Sequence, residues 1–141
     1  MKKVLVINGP NLNMLGLREE NHYGSLTLDE INKLILEENN GAFEIEFFQS
    51  NYEGDIVTKI QKSLDDYAII INPAAYTHTS VAIRDALAIY KGIIIEVHLS
   101  KVDEREEFRK INFIRDLAKA TFSGDKEYSY IKAIKYLKDI K

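Results

Sequence analysis

Four short apolar runs constrain this chain more than any other feature: "KVLVIN" (3–8), "FEIEFFQ" (43–49), "AIIIN" (68–72) and "GIIIEVH" (92–98). Each is strand-length and rich in β-branched or aromatic residues, and "ATFS" (120–123) is a weaker fifth. "IIIN" and "IIIEV" do not alternate with polar residues, which is the pattern of strands covered on both faces. Helical repeats lie between them. Leu28, Ile31, Leu34 and Ile35 form one stripe, preceded by Thr27 and Glu30 in capping-box spacing. Ile56, Val57, Ile60 and Leu64 form a second; Val81, Ala82, Asp85, Ala86 and Ile89 a third; Tyr130, Ala133, Ile134 and Leu137 a fourth. Strand–helix alternation of this kind predicts an α/β fold, a doubly wound sandwich around a five-stranded parallel sheet.

A chain of 141 residues suits one domain, 1–141, and no linker or repeat divides it. The net charge of -3 argues against a nucleic-acid groove, which needs clustered Lys and Arg. With no Cys, disulfides, thiolate metal sites and a Cys nucleophile are all excluded. No apolar run approaches the ~20 residues of a membrane span, and "VLVI" is too short for a signal-peptide core. The expectation is a cytoplasmic protein with no membrane and no nucleic-acid partner.

In such sheets ligands bind beyond the carboxyl ends of the strands, near the switch in strand order. The segments at those ends are "NGPNLNMLGLREENHYG", "QSNYEG", "NPAAYTHTS" and "HLSKVDEREEFR", all dense in amide, imidazole, guanidinium or hydroxyl groups. The first spans about 17 residues between strand and helix, where 2–6 is usual. It carries Arg18 and Tyr23, a cation and a phenol on one segment. From spacing alone, Tyr23 is equally a surface tyrosine packed on its own loop. His98 is equally a strand-end histidine bonded to backbone, Asn11 a turn former after Pro10, and Asp85 a helix-surface carboxylate paired with Arg84 or Lys91.

Taken together, "NGPNLNMLGLRE", "YG", "SNYEG", "NPAAYTHTSVAIRDAL" and "EVHLS…REEFR" resemble the motif set of the type II 3-dehydroquinate dehydratases, in order, from the first strand to about residue 109. The resemblance implies a flavodoxin-like fold and a lyase of the shikimate pathway, dehydrating 3-dehydroquinate to 3-dehydroshikimate. It further implies an anti elimination through an enolate, with no cofactor, metal or Schiff base. Tyr23 would be the proton acceptor. A free phenol ionises near pH 10, so a useful base requires a neighbouring cation, and Arg18 would supply it and stabilise the transition state. His98 would be the proton donor, supported by Glu96 from the same side of the strand or by Glu53 from the "SNYEG" turn. Asn11 would orient a water or donate to the enolate oxygen. Asn72, His78, Leu99, Ser100 and Arg109 would fix the substrate. Asp85 would reach into a neighbouring subunit's site in a homo-oligomer, a dodecamer built as a tetramer of trimers.

The chain departs from the pattern at Glu20-Asn21, where a Pro is usual, at Lys101 in place of Asn, and at "KIN" (110–112), where small or His/Ser-rich residues are usual. His22 has no counterpart and is expected to be exposed. Two rivals stand beside this reading. A small-acid-binding module without chemistry would share the polar loops. A metal hydrolase would use His78, His98 and Asp85, without the His spacing such sites show.

Overall fold

The structure, a computed structural model, describes residues 1–17 and 20–141, except the side chains of Glu20 and Asn21. Five strands, β1 (Lys3–Asn8), β2 (Glu44–Gln49), β3 (Ala68–Asn72), β4 (Ile93–His98) and β5 (Ala120–Ser123), pair in parallel in the order β2-β1-β3-β4-β5. These are the five strands expected from the apolar runs, within one residue at each end. The central strands are buried on both faces. Val4, Val6, Ile70, Ile95 and Val97 pack against helices α2 (Leu28–Asn39) and α5 (Tyr128–Ile140). Leu5, Ile7, Ile69, Ile71 and Ile94 pack against α3 (Glu53–Gln61) and α4 (Val81–Ile89). Each fully buried Ile or Leu contributes roughly 1.5–3 kcal/mol relative to exposure, so the two-sided cover is the main stabilising feature. The fold is the expected flavodoxin-like α/β sandwich.

Local signals start the helices. The Thr27 hydroxyl accepts from the Glu30 N–H at 3.2 Å, and the Glu30 carboxylate accepts from the Thr27 N–H at 3.0 Å, completing the capping box of α2. Ser80 caps α4 by accepting from the Ile83 N–H at 2.9 Å. A four-residue helix, α1 (Glu20–Tyr23), lies within the long first connection.

Two helical expectations are corrected. Leu64 lies beyond the end of α3 and is exposed. On α4 the buried residues are Ile83, Ala86 and Leu87, followed by Tyr90, whereas Val81, Ala82, Asp85 and Ile89 are exposed. The segment "VAIRDALAI" is apolar nearly all round, so two stripes have helical spacing. The one with more large side chains faces the sheet, and only Ala86 is common to both.

β1 connects outward to β2, and the chain then crosses back to place β3 on the other flank of β1. At this reversal Gly9, directly after β1, donates its N–H to the Asn72 carbonyl at 2.8 Å. A Cβ at Gly9 would lie 2.4 Å from the Pro73 carbonyl oxygen, backbone against backbone. Gly9→Ala is therefore expected to cost about 1–3 kcal/mol, read as a lower urea midpoint with an unchanged m value. Unchanged stability would mean that the two loops do not need this close approach.

Candidate active site

A pocket of about 120 Å³ opens at the carboxyl ends of β1, β3 and β4, on the flank where strand order reverses. Its lining includes Asn11, Tyr23, Asn72, His78, His98, Leu99, Ser100 and Arg109. Eight of the eleven residues singled out from the sequence thus meet around one cavity. Glu96 lies directly beneath His98. Arg18 lies outside the described residues. Asp85 sits on the outer face of α4 and does not line this pocket.

The imidazole side of the pocket is built on β4. Glu96 and His98, two residues apart, project to one side of the strand. His98 Nε2 lies 2.6 Å from Glu96 Oε2, and both side chains are buried. Glu96, not Glu53, is the partner of this imidazole. A carboxylate with 0% exposure must be fully bonded to remain charged. Besides His98 it accepts from Asn112 Nδ2 at 2.6 Å, Thr121 Oγ1 at 2.9 Å and Arg115 Nε at 2.9 Å. Burial alone would raise the Glu96 carboxyl, but the hydrogen bonds and charges of His98 and Arg115, with the Asn112 amide, outweigh it and bring it down to about 2.

The phenol side is built on the first connection and on the segment after β4. Tyr23 is half-buried, and Arg105 Nη1 donates to its hydroxyl at 2.8 Å while the guanidinium carbon lies 5.3 Å from the ring centroid. Arg105 also donates to the Ser100 hydroxyl at 3.3 Å. The sequence points to a guanidinium on the Tyr23 oxygen, from Arg18; the one described is Arg105. Sequence reasoning does not single out Arg105 although it opens the motif "REEFR", because the resemblance assigns Arg109 of that motif, and not Arg105, to the substrate. His22 is half-buried rather than exposed, edge-on to the Tyr23 ring at 5.9 Å between centroids.

The remaining lining is set for polar recognition. His78 Nδ1 lies 2.6 Å from the Ile111 carbonyl, which can only accept, so Nδ1 carries the proton. Burial lowers the His78 pKa and favours the neutral ring, which leaves Nε2 as a buried acceptor with no partner among the described residues. Asn72 accepts from the Ala74 N–H at 3.1 Å and donates to the Tyr130 hydroxyl at 3.0 Å. Tyr130, fully buried on α5, in turn donates to Asn8 Oδ1 at 2.5 Å. The pocket amide is therefore braced from behind by the last helix. Asn11 has a left-handed backbone (φ 70°), its N–H bonded to Asn51 Oδ1 at 3.0 Å, so it both makes the turn and lines the cavity. Arg109 is held by Glu106 at 2.8 Å.

Among the described residues no group of three or more His, Cys, Asp or Glu is placed to hold a metal ion, so His78, His98 and Asp85 do not converge as the metal-hydrolase alternative requires. No helix among them is long and apolar enough to cross a membrane.

The depressed Glu96 carboxyl has a stability consequence of definite sign. It protonates near 4.5 in the unfolded chain and at about 2 in the fold, so its contribution is complete above about 4.5 and is lost as pH falls through about 2. Glu96→Gln should be less stable than the parent at pH 7 by on the order of 3 kcal/mol, and the gap should close on acidification to pH 2, followed by denaturant titration at each pH. A gap independent of pH would contradict an ionised Glu96.

Known proteins resemble this chain over nearly its whole length. Residues 2–138 match the model of the family described as dehydroquinase class II. A 3-dehydroquinate dehydratase of Caldicellulosiruptor bescii is 50% identical over 143 residues, covering 99% of each chain. One from a Nitratiruptor species is 53% identical over 131 residues, 91% of this chain and 83% of that one. The crystal structure of the type II dehydroquinase from Butyrivibrio crossotus superposes with a TM-score of 0.92 at 45% identity, covering 97% of both chains. The chain belongs to the class II dehydroquinase family.

Proposed function

We propose that this chain is a type II 3-dehydroquinate dehydratase that removes water from 3-dehydroquinate to give 3-dehydroshikimate, as a hydro-lyase of the shikimate pathway acting in the cytoplasm. The observation that carries the mechanism is that Tyr23, held by Arg105, and His98, held by Glu96 from behind, border the same small pocket. An elimination next to a ketone needs a base at the α-carbon, a stabilised enolate oxygen and an acid at the departing hydroxyl. Tyr23, as phenolate, takes the α-proton, and the electron pair of that C–H bond forms the enolate. Arg105, which donates to the phenol oxygen, stabilises negative charge there, and Arg18, which lies outside the described residues, is assigned the transition state. Asn11 holds a water at, or donates to, the enolate oxygen. The enolate then collapses, the carbon–oxygen bond on the opposite face breaks, and His98 protonates the hydroxyl as it leaves as water. Glu96 orients the imidazole for this transfer.

The substrate is a carboxylate with several hydroxyls. Arg109, with the backbone N–H groups of Leu99 and Ser100, suits the carboxylate. Neutral His78 with an open acceptor and Asn72 suit hydroxyls. No step calls for a metal, a cofactor or an imine. Asp85 belongs, in this reading, to the site of a neighbouring subunit. Support comes from the outer face of α4, where Val81, Ala82 and Ile89 surround it exposed and apolar, a surface suited to a subunit contact. A tetramer of trimers is the proposed assembly, and sedimentation would reveal any smaller particle.

Purified protein mixed with 3-dehydroquinate should generate the absorbance of a conjugated enone. Tyr23→Phe should lower kcat by roughly 10²–10⁴-fold with little change in substrate affinity. A variant with parental kcat would refute Tyr23 as the base. Borohydride added with substrate should leave activity intact, whereas inactivation would reveal an imine and overturn the scheme.

A further inference from the structure

The Glu96 carboxylate has more cationic and polar support than a partner for one imidazole requires. We propose that Arg115 is a positioning residue for the acid, sharing the Glu96 carboxylate with His98 so that the proton on the imidazole can be released. The proposal rests on the reading of His98 as the acid for its catalytic meaning, but its physical content concerns His98 alone.

The geometry is specific. Arg115 Nε donates to Glu96 Oε1 at 2.9 Å and Nη2 approaches Oε2 at 3.4 Å, so the fork lies along the carboxylate rather than on one oxygen. Oε2 is the same oxygen that meets His98 and Asn112. Asn112 also accepts from the Ile114 and Arg115 N–H groups at 3.0 and 2.9 Å, which fixes the backbone from which Arg115 projects. The remaining arm, Nη1, donates to Asp103 Oδ2 at 2.6 Å. Asp103 lies in the turn Val102–Glu104, directly before Arg105, whose guanidinium holds Tyr23. One side chain therefore ties the support of the acid to the segment that supports the base.

The chemical argument follows from burial. With an imidazolium as its sole cation, Glu96 would hold that proton tightly, since losing it would leave a buried carboxylate with neutral donors only. A guanidinium does not deprotonate in proteins. With Arg115 in place, Glu96 keeps a cationic partner whether His98 is charged or neutral, so proton release does not strand a charge. The other charged or titratable groups around His98 are Tyr23 from the first connection, His78 from the turn before α4, and Arg105, Arg109 and Asp103 from the segment after β4. None of these is hydrogen-bonded to Glu96.

The test is a direct NMR titration of the His98 ring, assigned by the loss of its signal in His98→Asn. Arg115→Met should move the His98 midpoint upward by roughly half a pH unit or more, because the uncompensated carboxylate then favours the imidazolium. The His22 midpoint should not move. Arg115→Lys should restore the midpoint toward the parent by returning the charge without the fork. Should Arg115→Met fail to fold, Arg115→Gln carries the test, as it keeps a donor to Glu96 and removes only the charge. An unmoved His98 midpoint in a folded, uncharged variant would overturn the proposal. In the same variants the alkaline limb of kcat for 3-dehydroquinate should shift upward with the ring. A His98 midpoint that moves while this limb stays fixed would uphold the role of Arg115 and refute His98 as the acid.

Discussion

A carboxylate with no solvent exposure, set into a strand of an apolar parallel sheet, is the constraint from which the rest of this site follows. Glu96 interrupts the run "IIIEVH" near the carboxyl end of β4. A buried charge of this kind survives only when every lone pair is used. Its donors come from its own strand, from the neighbouring strand β5 and from the irregular segment 112–115. Those contacts fix where the irregular segment lies, and with it the turns carrying Arg105 and Arg109. The polar cluster thus organises a stretch of chain that has little regular structure of its own.

Hydrophobic pattern and polar strand ends divide the work of specifying the sheet. Because β1, β3 and β4 are apolar on both faces, a one-residue slip would cost less burial here than in a sheet with one wet face. The strand ends supply the missing discrimination. Asn8 and Asn72 fall opposite one another in register and are joined through the Tyr130 hydroxyl. A slipped strand would leave buried amides without partners, which is a far larger penalty than misplacing one Ile among others. Asn72, which borders the pocket, thus also helps hold the strands in alignment.

Much of this is legible in the amino-acid sequence. The strands stand out because a doubly covered strand has a composition that few other elements share, and the helices α2 and α5 because their stripes are unambiguous. The orientation of α4 is not legible, because "VAIRDALAI" has two apolar faces and local periodicity cannot say which one a sheet will cover. Tyr23, His98, Asn72, His78 and Arg109 can be found because they follow strand ends or sit in a motif. Arg105, Asn112 and Arg115 cannot be ranked in the same way. They lie in a run of short turns, where no periodicity assigns direction, and their meaning depends on which buried group each one reaches.

The hydroxyl of Tyr130 connects the last helix of the chain to the amide of Asn72, which lines the pocket. The carboxy-terminal helix is therefore not free to drift. Substitutions that shift α5 along its axis, however remote from the pocket, would be transmitted to Asn72 and so to the shape of the cavity. Evolutionary tolerance in that helix should be highest on its outward side and lowest on the side that bears this phenol.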